Sequence, residues 1–281
     1  MLRALLPVLG LAAAVLVVVM VLAWLGQGSL VFFPDRTMRA TQARVGLRFE
    51  DVRLRTADGV GLGAWWVEPE RARGAVVIAH GNAGNISDRL DTVKLFAGLD
   101  LAVLAFDYRG YGSSDGSPSE TGTYRDMEAA VAHLEGVRGF GRGRTVYYGE
   151  SLGGAVALAT AVRLPPAALV LESTFTSVRA MAAVHYPFVP GFLATRVRYD
   201  SRARVRELRC PLLVLHAPDD SIVPYRMGRE LYDAAPGPKA FADLEGDHND
   251  GGLVVSPAAR AALRAFLEAH LPPPEPGGSR E

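Results

Sequence analysis

Cysteine is nearly absent: Cys210 is the single thiol in 281 residues. That excludes an internal disulfide framework and a cysteine-rich metal site. Cys210 opens an apolar stretch, which makes it a buried structural thiol. Lysine is almost as scarce, with Lys94 and Lys239 alone, so arginine carries nearly all the positive charge. An excess of either sign is missing too, because 30 basic residues balance 30 acidic ones. No global field is there to recruit nucleic acid, and none is expected as a partner. Internal repeats are lacking, and so is a phosphate-binding fingerprint. The stretch DYRGYGSS at 107–114 follows a strand but has no Lys followed by Ser or Thr. It reads as a structural loop held by Asp107 and Arg109. The glycines of 139–143 precede a strand instead of following one, which is the wrong side for a nucleotide loop.

Charge is also missing from residues 5–25. As a helix rising about 1.5 Å per residue, that run spans roughly the 30 Å hydrocarbon core of a bilayer. Pro7 falls in the first turn, where its missing N–H costs little. A cleaved signal peptide would have an apolar core of about 7–15 residues and a small-x-small cleavage site. This run is longer and no such site follows it. A retained single-pass anchor is therefore expected over residues 1–28, with Trp24, Phe32 and Phe33 near the interface. Arg3 flanks one side and Arg36, Arg39 and Arg44 the other, so the side of the membrane stays open.

Residues 29–48 read as a juxtamembrane connection and 49–270 as one α/β domain. Residues 49–55 and 63–69 form two strands around the turn 56–59, an antiparallel start. Short apolar runs at 75–80, 101–106, 145–148, 168–172, 211–216 and 239–244 then alternate with helical stretches. Strands apolar throughout and separated by helices imply a mostly parallel central sheet covered on both faces. Residues 174–208 interrupt the rhythm and read as a small lid or cap. The stretch 186–192 within it, aromatic and apolar, is suited either to packing on the core as a lid or to lining an acyl pocket or dipping into the bilayer. The Pro- and Gly-rich tail 271–281 reads as disordered.

The chemistry starts at Gly149–Gly153, which spell G-x-S-x-G. A strand runs into this pentapeptide and an Ala/Leu-rich helix leaves it without a gap. The chain must reverse tightly there, and side chains at 149 or 153 would collide with neighbouring backbone. A serine hydroxyl is a poor nucleophile near neutral pH and needs a base within hydrogen-bond reach. Downstream, an apolar strand ends at Asp219 and Asp220, and the last strand is followed by His248. That order, serine then acid then histidine, is the one this turn requires. Spacing within the stretch 220–224 (DSIVP) favours Asp220 over Asp219 as the acid. Ser151 is then the nucleophile, His248 the base, and Asp220 the group that orients the imidazole. An oxyanion needs preorganised N–H donors. The backbone of Leu152, at the helix start, and that of Asn82, in the small-residue loop after the strand ending at His80, are the expected pair. His80 itself is expected to shape that loop by hydrogen bonding. His216, Asp220, His248 and Asp250 are also metal-binding residue types, but the serine turn gives two of them other work. No metal or cofactor is expected.

Six stretches, HGNAGN (80–85), DYRGYGSS (107–114), GESLGG (149–154), ESTFTS (172–177), DSIVP (220–224) and HND (248–250), together resemble one family. They are similar to the membrane-anchored α/β-hydrolases of the bud-emergence-suppressor type, and to the α/β-hydrolase-domain protein depalmitoylases. The resemblance runs from about residue 30 to 270. It implies the α/β-hydrolase fold, Ser151, Asp220 and His248 as a catalytic triad, and Asn82 and Leu152 at the oxyanion hole. It also implies a hydrolase joined to an N-terminal anchor. The depalmitoylases carry an N-terminal cysteine cluster, and this chain does not. The expected activity is hydrolysis of a carboxylic ester or thioester, on a lipid or acylated substrate, through an acyl-serine intermediate. The alternatives are a serine peptidase on the same fold and a catalytically silent membrane scaffold.

Overall fold

The computed structural model describes residues 26–41, 46–187 and 196–273, with scattered positions between 7 and 21. Most of the expected anchor lies outside these residues, as do 188–195 of the expected lid and the tail from 274. Among the described residues, no helix is long and apolar enough to cross a membrane.

Eight strands form one sheet: β1 (Glu50–Arg55), β2 (Gly61–Val67), β3 (Gly74–Ala79), β4 (Leu101–Phe106), β5 (Thr145–Glu150), β6 (Ala168–Glu172), β7 (Leu212–His216) and β8 (Lys239–Asp243). Their spatial order is β1-β2-β4-β3-β5-β6-β7-β8. β2 runs antiparallel to both its neighbours, and every other pair is parallel. The antiparallel start follows from a tight turn. Gly59 adopts φ 83°, its N–H bonds the carbonyl of Thr56 at 2.9 Å, and Thr56 N–H bonds the carbonyl of Val60 at 3.0 Å.

β2 reaches β3 through a short loop, and from β3 onward every connection is a helical crossover, as parallel neighbours require. Besides two short helices, Gln27–Val31 and Gly252–Val255, the described helices are α1 (Leu90–Ala97), α2 (Glu120–Gly136), α3 (Leu152–Arg163), α4 (Val178–His185), α5 (Ser201–Val205), α6 (Tyr225–Ala234) and α7 (Pro257–His270). Their starts carry local signals. Ser119 Oγ accepts the Gly122 N–H ahead of α2, and Pro257 occupies the first turn of α7.

Successive strand side chains point to opposite faces, so each apolar strand feeds two cores. In β3, Val77 and Ala79 join Met127, Leu158, Val205 and Leu231 on one face. Val76 and Ile78 join Val93, Phe96, Leu263 and Leu267 on the other. Each such side chain, fully buried, stabilises the fold by about 1.5–3 kcal/mol in transfer terms.

The interval 174–208 is not one lid. Phe175, Tyr199, Val205 and Leu208 are buried in the first core. α4, in contrast, has no fully buried residue, and Tyr186 beyond it is exposed. Among the described residues, the outlying part of this interval is α4 and the two residues after it. At the chain's start, Phe33–Pro34 pair in parallel with Ala83–Gly84.

Candidate active site

The parallel register aligns Ala79, Gly149, Leu171 and Val214 across β3, β5, β6 and β7. Everything just past that row emerges at the carboxyl edge, where sheets of this kind place their sites. Ser151 follows β5 directly and adopts φ 52° and ψ −114°, a strained conformation for a residue with a side chain. Its neighbours permit this by having none. A Cβ at Gly149 would run into the carbonyl of Gly153, and one at Gly153 into the carbonyl of Ala79. Hydrogen bonds lock the reversal. Ser151 N–H bonds the Glu172 carbonyl at 2.8 Å, and Thr174 Oγ1 donates to the Ser151 carbonyl at 2.6 Å.

His248 lies in the loop between β8 and α7, 97 positions from Ser151 in the chain, with Nε2 3.2 Å from Ser151 Oγ. Its Nδ1 lies 2.8 Å from Oδ2 of Asp220, in the loop after β7. The other oxygen, Oδ1, accepts the N–H groups of Ile222 and Val223 at 3.0 and 2.7 Å. Burial of Asp220 would raise its carboxyl, but hydrogen bonds from His216, His248 and the Val223 backbone outweigh burial and hold it well below the usual range. Asp219 points into solvent.

Leu152 is the first residue of α3, so its N–H belongs to the turn whose donors have no partner within the helix. Asn82 is fixed through its other groups. Its carbonyl accepts from Tyr111 Oη at 2.8 Å and Phe33 N–H at 3.1 Å, and its side chain donates to the Val31 carbonyl at 3.0 Å. His80 is fully buried, its Nδ1 lies 2.7 Å from the Gly81 carbonyl, and it stacks on Tyr108 at 4.5 Å. Asp107 and Arg109 hold their loop as expected. Asp107 Oδ1 accepts the Ile86 N–H at 2.8 Å, and Arg109 bridges Asp126 and Asp58 at 2.8 and 3.0 Å.

Three side chains escaped the sequence reading. His216, weighed there only as a metal-binding type, points Nε2 at the Val223 carbonyl (2.8 Å) and at the same Asp220 oxygen that faces His248 (3.3 Å). Asp247 ties the two loops together: it accepts from Ser221 N–H, Ser221 Oγ and His248 N–H at 2.7, 2.7 and 2.6 Å. Glu172 ends β6 beneath the histidine loop, accepting from Tyr148 Oη at 2.6 Å and Leu253 N–H at 3.0 Å. Its burial, with Glu150 nearby, pushes its carboxyl up to about 7. A carboxylate closing an otherwise apolar strand was the one signal in the sequence that marks it.

The comparisons with known proteins bear on the fold and the family. An uncharacterised protein of Mycobacterium tuberculosis, Rv2307c, is 40% identical over 266 residues, covering 93% of this chain and 94% of its own. The α/β hydrolase domain-containing protein WAV2 of Arabidopsis thaliana is 33% identical, over 88% of this chain and 89% of its own. The chain belongs to the α/β-hydrolase family. Within it, residues 70–199 match the model described as serine aminopeptidase, S33. The lysophosphatidylserine lipase ABHD12 of Macaca fascicularis is 35% identical over 72% of this α/β hydrolase, which spans 58% of that protein's length. Among solved structures, the Pyrococcus furiosus esterase Pf2001 superposes with a TM-score of 0.71 at 19% identity, covering 86% of this chain and 99% of its own. That likeness is one of fold.

Proposed function

We propose that this α/β hydrolase is a serine ester hydrolase that cleaves a carboxylic ester or thioester of a lipid or acylated substrate. The observation that carries the proposal is the continuous relay from Asp220 through His248 to Ser151, at 2.8 and 3.2 Å. Ser151 Oγ attacks the acyl carbon while His248 Nε2 takes the hydroxyl proton. Asp220 holds the imidazole in the tautomer that leaves Nε2 free, and stabilises the cation that forms. The backbone N–H groups of Asn82 and Leu152 receive the oxyanion. His248 then protonates the leaving alcohol or thiol, and water, activated by the same imidazole, releases the acid and restores Ser151.

The substrate class draws on two further facts. A relative of the chain is named for lipase activity, and a protein of the same fold for esterase activity. The uncharged run at 5–25 suits attachment to a membrane, where acylated amphiphiles are presented. A second reading, peptidase action, has the family model's description in its favour, and the same three side chains can cleave amides.

A fluorophosphonate probe tests the nucleophile. The wild type is expected to label and Ser151→Ala is not. An unlabelled wild type, or equal labelling of both, returns the chain to the silent-scaffold alternative. A panel of p-nitrophenyl esters, acyl thioesters and peptide amides separates the two enzymatic readings: turnover confined to the amides would sink the ester assignment.

A further inference from the structure

The loop 81–85 faces a contradictory demand. It must come close to a substrate, so it is made of small residues, with Gly84 at φ 74°. Small residues give a loop little with which to hold itself in place. The segment Phe32–Arg39, ahead of the domain, supplies what is missing. Phe32 is buried, with its ring edge-on to Tyr199 at 6.3 Å. From that plug the chain runs alongside the loop. Phe33 N–H donates to the Asn82 carbonyl, and Phe33 and Pro34 pair with Ala83 and Gly84. Asn85 Nδ2 donates to the carbonyls of Asp35 and Thr37 at 3.1 and 2.9 Å. Asp35 also accepts the Gly112 N–H at 2.9 Å, and Arg39 donates its N–H to Ser87 Oγ at 3.0 Å and its guanidinium to Asp88 at 3.1 Å. The segment Phe32–Arg39 itself lies outside residues 70–199, the part matched by the family model, whereas its partners lie within it.

We infer that Phe32–Arg39 is a positioning element of the active site: a strap whose backbone pairing aims the Asn82 N–H at the oxyanion. The inference rests on the assignment of Asn82 to the oxyanion hole and deepens it. A peptide plane carries its carbonyl and the following N–H together. The carbonyl of Asn82, held by Phe33 and Tyr111, fixes the plane that follows its Cα. The plane before it, which carries the Asn82 N–H, holds the Gly81 carbonyl, 2.7 Å from His80 Nδ1, and the side-chain bond to Val31 anchors the Cα between the two planes. Loosening the strap leaves the triad untouched, and ground-state binding with it. What it removes is stabilisation that appears only when charge develops on the carbonyl oxygen.

A main-chain substitution isolates this. Phe33→Pro deletes the N–H that meets Asn82, while the Phe33 ring is exposed and loses little burial. Phe32, at φ −108° and ψ 125°, already has the extended conformation that a residue before proline adopts. Phe33→Ala is the control, since it removes the ring and keeps the N–H. Full-length Phe33→Pro is expected to lower kcat on a p-nitrophenyl ester by about tenfold with KM within about twofold, below the 10²–10³ typical of deleting an oxyanion donor outright. Its affinity for an alkyl trifluoromethyl ketone, which forms a tetrahedral oxyanion on the serine, is expected to fall by a similar factor. Phe33→Ala should match the wild type in both measurements. Equal kcat and inhibitor affinity in the two Phe33 variants would overturn the inference, whatever their melting temperatures. Fluorophosphonate labelling, run alongside, separates this failure from that of the parent assignment. Labelled wild type with unlabelled Ser151→Ala leaves the hydrolase reading standing while the strap alone falls.

Discussion

The two halves of the active site are built on different principles. On the nucleophile side, Ser151 is held by backbone alone but for one hydroxyl: glycines at 149 and 153 that leave no room for a Cβ, and main-chain bonds to Glu172 and Gly154. On the base side, His248 and Asp220 sit on loops held by side chains from elsewhere: Asp247 on Ser221, Glu172 on Leu253, His216 on Asp220. The first half is rigid because the fold admits no alternative there. The second is adjustable, one contact at a time. Damage to the nucleophile side should therefore register as lost stability, and damage to the base side as lost turnover.

The largest effect belongs to the shared chemistry. His248→Ala should lower kcat by about 10⁴–10⁶ while the fold persists, as steady-state kinetics and thermal melting would show. Near-normal turnover would mean that the base has been misassigned. Next comes Gly153→Ala, expected to destabilise the domain by about 3 kcal/mol because the new methyl meets the Ala79 carbonyl. Denaturant unfolding measures this, and a variant as stable as the wild type would break the contrast.

Glu172 gives a pH test of similar size. With its carboxyl raised to about 7 from an ordinary 4.5, the folded chain keeps this proton after the unfolded chain has lost it. Stability from this group therefore falls as pH rises from about 4.5 to about 7, by about 3 kcal/mol at roughly 1.36 kcal/mol per pH unit. Glu172→Gln should remove that part of the slope, which denaturant midpoints at pH 5 and pH 8 would reveal. An unchanged slope would place the titration elsewhere. Asp247→Ala comes next, with kcat down by about 10–100-fold and only a small drop in melting temperature, since the aim of His248 and the tie to Ser221 are lost at a partly exposed site. A stability loss without a rate loss would reverse the contrast between the halves. Asp219→Ala is the smallest: turnover should stay within about twofold, as for an exposed substitution. A large loss would shift the acid role from Asp220.

The same contrast explains what could be read from the chain in advance. The strands were legible because apolar runs bounded by turns and helices have few other uses. The serine turn was legible because its constraints lie within five consecutive residues. Spacing singled out Asp220, the aspartate whose carboxylate lies 2.8 Å from His248. The contacts of His216, Asp247 and Glu172 were not legible, because they depend on the register of β6, β7 and β8 and on how two loops close over that edge. The hydrogen bond between Val31 and Asn82 links positions 51 apart, with no local pattern to announce it. The expected lid was too broad because Tyr199 and Val205, which read as part of an interruption, fill the core between α2, α3 and α6.

The strap also decides where a mechanical load would enter the protein. Along the described residues, a restraint transmitted through Gln27 enters the domain at Val31–Arg39, and the first hydrogen bonds in that line are those of Val31 and Phe33 to Asn82. Along that line a pull would meet the loop 81–85 and the Phe32 plug before it met the strands.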